Sequence, residues 1–183
     1  MKITGAVLCG GTSSRMGSDK ASLQIQGRPM IQWVVDSMKD AGIETVVALG
    51  DRPDLGLPAL ADKEPSDGPL GAIIGAITRY GTLLVCPCDV PMVSSDLLRE
   101  LVSCAAEVKD SVVLAHSGRL EPLIGVYKQE ALPQLKVGYA RGARGPKMAL
   151  NPKDYATVDV SPDLVKNINT QADFQSVLPI LDL

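Results

Sequence analysis

The stretch Leu8 to Lys20, LCGGTSSRMGSDK, sets Gly10 and Gly11 side by side after an apolar run, then adds Arg15, Gly17 and Lys20 within one polar segment. Glycine has no Cβ, so the backbone of such a segment can approach an anion closely, and successive amide N–H groups concentrate positive partial charge on it. Arg15 and Lys20 add two full charges. The chemistry this suits is the holding of phosphates. The adjacent glycines do not follow the G-x-G-x-x-G spacing of dinucleotide folds, and no Gly-Lys-Ser/Thr follows, as a P-loop requires. By spacing alone the same residues also fit a surface turn with solvated basic side chains.

A second candidate is Asp89 in VCPCDVP, placed after an apolar run and between two prolines. A carboxylate at the end of a buried strand is a hard oxygen donor. It suits Mg²⁺, which takes one or two protein carboxylates and completes its shell with water and phosphate oxygens. An aspartate there also fits a cap on the turn into the next helix. The third candidate is Asp62 followed by Asp67-Gly68-Pro69-Leu70-Gly71, a turn feeding a helix start. Helix N-termini favour anions, and Asp62 can accept hydrogen bonds from a base or ribose. Gly68-Pro69 is, equally, a turn in any fold. The one histidine, His116, lies beside Ser117-Gly118 and reads as a surface residue that cannot build a catalytic triad alone. Cys86-Pro87-Cys88 with that single histidine falls short of a tetrahedral zinc site.

The elements that must position these residues alternate between strand and helix. The run from Lys2 to Cys9 reads as a buried strand ending in the glycines. After Pro29, the residues Ile31, Val34, Val35 and Met38 recur at helical spacing, and Gly42 closes the segment. Trp33 falls on that stretch and is expected in the core or partly buried rather than stacked on a base. Ile43 to Leu49 gives a second strand, then a loop from Gly50 to Pro69 long enough to carry function. A helix marked by Leu70, Ile73, Ile74 and Ile77 follows, then a strand over Thr82 to Cys86 and a helix capped by Ser94 or Ser95. Strands are expected over Ser111–Ala115, Leu120–Tyr127 and Tyr155–Val160, with a last helix opened by Thr170. The segment from Val137 to Pro152, with glycines, Arg141, Arg144 and Lys147, reads as a mobile loop. The pattern predicts an α/β fold, a three-layer sandwich with a mostly parallel twisted sheet, in which ligands bind at the carboxyl ends of the strands.

With 183 residues, 45% hydrophobic and 21% charged, one domain over residues 1–183 with a single sizeable core is expected. A net charge of -3 without a polybasic run leaves no footprint for nucleic acid or an anionic membrane surface, so an anionic ligand must meet local positive groups. No apolar stretch approaches the roughly 20 residues that span a bilayer, and the start lacks the features of a signal peptide, which predicts a cytoplasmic protein. Four cysteines in a chain of this length do not make a disulfide scaffold.

At these residues the chain resembles the molybdenum cofactor guanylyltransferases, the MobA family of glycosyltransferase-A-like nucleotidyltransferases. LCGGTSSRMGSDK is similar to their LAGGxSxRMGxDK signature, with Cys9 where alanine is usual. Asp62 to Gly71 resembles their Asp, spacer, GPLxG segment, and CPCDVP their metal-binding PCDxP element. Glu121 to Tyr127 is similar to their PLFALY-like strand, and Asn167-Ile168-Asn169-Thr170 to their NxNTP-like segment, although Gln171 stands where proline is frequent. The Val137 to Pro152 segment matches no family element.

The resemblance implies that Leu8, Cys9 and Gly10 meet GTP through their backbone, with Gly11 in the same loop and Lys20 on phosphate. It implies nucleotide contacts for Asp62 and, on a weaker match, Asp51, which stands where asparagine is frequent. Asp89 would bind nucleotide and Mg²⁺, and Asn167 and Asn169 would lie on the pterin side. Related cytidylyltransferases carry LAAG, so Gly10-Gly11 tilts the base towards guanine. The implied reaction moves GMP from GTP to molybdopterin or Mo-molybdopterin, with Arg15, Lys20 and Asp89 as the catalytic set. A cofactor-delivery protein or a molybdoenzyme would be the macromolecular partner. Transfer to another phosphorylated acceptor and a non-catalytic GTP-binding module are the rival readings.

Overall fold

The computed structural model describes residues 1–10, 24–50, 56–61, 67–169, 172–173 and 175–176. Its elements in chain order begin with strand β1 (Thr4–Leu8) and a two-stranded hairpin, β2 (Gln24–Ile25) and β3 (Arg28–Pro29). Helix α1 (Met30–Asp40), β4 (Val46–Leu49), β5 (Ala59–Leu60), α2 (Gly68–Tyr80), β6 (Leu83–Pro87) and α3 (Ser95–Glu107) follow. The remainder comprises β7 (Val112–His116), β8 (Leu120–Tyr127), α4 (Leu132–Ala140), α5 (Pro146–Ala149) and β9 (Tyr155–Asp159).

Seven strands form one sheet in the order β5-β4-β1-β6-β8-β7-β9. β1 is parallel to both neighbours, β4 is parallel to β5, and β7 is parallel to β9. β8 alone runs against the rest, pairing antiparallel with β6 and β7. Successive strand residues face opposite sides, and each side is apolar. Val7, Ala48, Leu84, Cys86 and Val113 pack with α1 and α3, whereas Ala6, Val47, Leu49, Leu83, Val85 and Leu114 pack with α2, α4 and α5. The expected three-layer sandwich is the one observed.

Two expectations are corrected. Ile43 does not begin a strand: its N–H donates to Met38 O at 3.1 Å while Gly42 N–H donates to Lys39 O at 2.9 Å. Gly42 has φ +91°, so the pair closes α1 in a Schellman turn whose apolar residue, Ile43, tucks beside Met38. β4 therefore starts at Val46. The Val137 to Pro152 segment is not a mobile loop. It carries the end of α4, all of α5 and the start of a 3₁₀ turn at Pro152–Asp154. Its glycines, which read as breakers, serve packing and capping. A Cβ on Gly138 would lie 2.4 Å from Ala149 Cβ, and Gly142 with φ +95° closes α4 as Gly42 closes α1. The opening of the last expected helix, Thr170, lies outside the described residues.

Gly125 of β8 is another packing glycine. A Cβ there would meet Val113 O at 2.2 Å and Leu114 Cδ2 at 2.8 Å, beside the register shift between Leu114 and Ala115. The Val113 oxygen is backbone and cannot rotate away. Gly125→Val is expected to lower the free energy of unfolding by about 3 kcal/mol, as overpacked cores do, and the thermal midpoint by roughly 6–12 °C. An unchanged melting curve would show that β7 and β8 separate without cost.

Candidate active site

Register brings the ends of β1, β4 and β6, and with them the described candidates Leu8 and Asp89, to one edge. Leu8 pairs with Leu49 on one side and Pro87 on the other, so β1, β4 and β6 end level. Beyond them, Cys88 N–H donates to Leu8 O at 3.1 Å, which holds Asp89 just past the end of β1. Cys9 N–H and Gly10 N–H both donate to Leu49 O, at 2.8 and 3.1 Å. Gly50 completes the approach: a Cβ there would sit 2.9 Å from Gly10 N, and its φ of +130° disfavours any other residue. Leu8, Cys9 and Gly10 are thereby fixed as the floor of the edge. The amides of Cys9 and Gly10 are committed to the sheet. Gly11, Arg15, Lys20, Asp51 and Asp62 lie outside the described residues.

Asp89 is half-buried, with Oδ1 inside. The N-cap of α3 is Ser94, whose Oγ accepts the Leu97 N–H at 3.2 Å. The Asp89 backbone carbonyl accepts the Ile168 N–H at 2.8 Å, which draws the Asn167-Ile168-Asn169 segment to the same edge. Asn167 and Asn169 are exposed on either side of the buried Ile168. Asn169 N–H donates to Asp173 Oδ2 at 3.0 Å. Cys86, beneath Asp89, is fully buried. Its thiol is pushed well above its ordinary range, chiefly by burial and then by the charges of Asp89 and Cys88.

The Asp67 to Gly71 turn is structural in detail. Gly68 has φ +61° and faces Arg144 O, which a Cβ would reach at 2.8 Å. Leu70 N–H donates to Arg144 O at 2.9 Å and Gly71 N–H to Asp67 O at 3.2 Å, so the first turn of α2 has little left for an anion. Tyr139 OH donates to the Asp67 carboxylate, and the Arg144 guanidinium lies 4.5 Å over the Tyr139 ring. Thus the segment that matched no family element braces the turn that did. A hydrogen bond to a charged group contributes about 1.5–3 kcal/mol, and partial exposure favours the low end. Tyr139→Phe should therefore lower the unfolding free energy in urea by about 1.5 kcal/mol. An unshifted urea midpoint would mean that the hydroxyl holds nothing.

The sequence did not single out Ile168, Tyr139 or the Arg144 carbonyl. Ile168 leaves a faint trace, an apolar residue between two polar ones in an extended segment. The other two act through contacts 70 or more positions away and leave none. His116 lies at the end of β7, half-exposed, with Nδ1 3.0 Å from Asp159 Oδ1.

The fold and this edge define an α/β nucleotidyltransferase. The chain belongs to the family described as the MobA-like NTP transferase domain, whose model matches residues 5–158. It is 33% identical over 177 residues to a molybdenum cofactor guanylyltransferase of Vibrio atlanticus, covering 90% of this chain and 89% of the relative. A molybdenum cofactor guanylyltransferase of Xanthomonas euvesicatoria is 42% identical over 103 residues, 55% of this chain and 53% of that one. The crystal structure of molybdopterin-guanine dinucleotide biosynthesis protein A from Archaeoglobus fulgidus shares the fold with a TM-score of 0.82, 21% identity and 98% coverage of both chains. Among the described residues no helix is long and apolar enough to cross a membrane.

Proposed function

We propose that this protein is a molybdenum cofactor guanylyltransferase that moves GMP from GTP to the terminal phosphate of molybdopterin, free or molybdenum-loaded, and releases pyrophosphate. The observation that carries this reading is the meeting, in a MobA-like chain, of the Leu8–Gly10 floor, Asp89 and the Asn167–Asn169 segment at one sheet edge.

The reaction forms a bond from an acceptor phosphate oxygen to the α-phosphorus of GTP and breaks the α–β bridge, whose electrons leave with pyrophosphate. A phosphate nucleophile is already ionised at neutral pH, so the protein's work is positioning and charge neutralisation. No histidine is needed. In this reading Lys20 and Arg15 meet the phosphates and neutralise charge on the leaving group. Asp51 and Asp62 contact the nucleotide, Gly11 continues the loop, and Asn167 and Asn169 face the acceptor.

Asp89 fits Mg²⁺ in one particular way. Among the described residues no group of three or more His, Cys, Asp or Glu could enclose a cation. A single half-buried carboxylate suits an ion that draws its remaining ligands from phosphate and water, as Mg²⁺ does. When bound, it would supply neutralising charge across the phosphates. The rest of the reading is a cytoplasmic enzyme acting as one domain over residues 1–183, served by a protein that delivers the pterin or a molybdoenzyme that receives the product.

The deciding experiment is pyrophosphate release with Mg²⁺ and each of the four NTPs, with and without molybdopterin or its molybdenum-loaded form. Release confined to GTP plus the pterin is expected. GTP binding without release would turn the reading towards another phosphorylated acceptor first and a GTP-binding module second.

A further inference from the structure

We propose that Ile168 is a positioning residue that fixes the distance between the acceptor-side asparagines and Asp89, through a small apolar cluster separate from the two main cores. This rests on the reading that Asn167 and Asn169 face the acceptor.

Ile168 is fully buried with Ile25 and Met30, and Trp33 and Met92 pack against them. Each member comes from a segment that borders the edge. Ile25 lies in the β2–β3 hairpin, which follows the Arg15–Lys20 stretch in the sequence, Met92 follows Asp89 by three residues, and Met30 and Trp33 are in the first turn of α1. The hairpin turns tightly through Gln26 and Gly27, at φ +51° and +76°, and so aims Ile25 inward. Arg28 covers Trp33 at 4.6 Å and pairs with Asp36, which seals the cluster from outside.

Upstream, the chain is pinned by Val165, 2% exposed in a main core, and between the two anchors Lys166 and Asn167 are exposed. The 2.8 Å bond from Ile168 N–H to Asp89 O and the buried side chain act together. One sets depth along the edge and the other sets rotation, so that both flanking asparagines face outward. Loss of the side chain leaves the hydrogen bond to fix depth but nothing at residue 168 to fix rotation, and a misplaced group lowers reactivity without touching the chemistry itself.

The test compares Ile168→Ala and Ile168→Val with the parent enzyme for turnover, KM for GTP, KM for molybdopterin and amide exchange across residues 167–169. Trp33, the single tryptophan, reports the cluster through its emission. Ile168→Ala is expected to raise KM for molybdopterin about tenfold, in keeping with the cost of deleting a buried branched side chain. KM for GTP should stay within about twofold, and the Ile168→Val variant should recover most of the loss. Exchange at residue 168 should speed up about tenfold, with a shift in Trp33 emission. A fall in turnover with both KM values unchanged would overturn the proposal, because the isoleucine would then serve folding alone, and unchanged exchange would overturn it because the side chain would then restrain nothing at that segment. If the parent enzyme itself transfers nothing to molybdopterin, the acceptor reading fails separately. The exchange comparison still decides the role of Ile168.

Discussion

Lys20→Ala is expected to lower turnover by about 100-fold or more, because one preorganised donor aimed at developing charge is worth about 3 kcal/mol. The proposed reaction moves negative charge from the α–β bridge onto departing pyrophosphate, so an ammonium at that position gains more in the transition state than in the bound ground state. The loss should therefore fall on kcat, with GTP affinity changed far less. Steady-state pyrophosphate release, with GTP binding measured separately, makes the distinction. Turnover within about threefold of the parent would remove Lys20 from the catalytic set, since a merely solvated surface lysine contributes on that scale or less.

Asp89→Asn should have a comparable or larger effect, about 1000-fold on turnover, for a different reason. The change keeps shape and removes charge. In the proposed reading, losing the Asp89 carboxylate would forfeit several kcal/mol of metal-assisted charge stabilisation, and each 1.4 kcal/mol or so is a decade in rate. The Mg²⁺ concentration for half-maximal activity should rise in parallel. The fold should hardly notice, because Ser94 caps α3 and the tie from Ile168 reaches the backbone carbonyl of residue 89, which asparagine retains. We expect the thermal midpoint to move by less than about 3 °C. A variant that melts early would mean that the carboxylate is structural.

Lys20 owes its candidacy to its place in LCGGTSSRMGSDK and lies outside the described residues, as do Arg15, Gly11, Asp51 and Asp62. Asp89 stands just past the end of β6, where sequence alone left a metal ligand and a cap on the turn into α3 both open. The N-cap of α3 itself is Ser94. The same holds for the Asp67–Gly71 turn: its glycines suit a nucleotide and suit a bend, and the contacts with Arg144 show what the bend packs against.

What the sequence determined by itself was local. Apolar runs of four or five residues, glycines after them and helical spacing between them announced strands, turns and helices, because backbone preference and the facing of side chains depend on near neighbours. From these came the sheet sandwich, the edge on which ligands bind and the identity of the acidic and basic candidates. The tertiary structure decided what depends on residues far apart in the chain. It made Ile43 a helix stop rather than a strand start, and turned the 137–152 segment from a loop into a brace. It also committed the Cys9 and Gly10 amides to Leu49 and fastened Ile168 to Asp89. Short-range patterns carry no record of such pairings, because a hydrogen bond or a packed methyl group is indifferent to how many residues separate its partners along the chain.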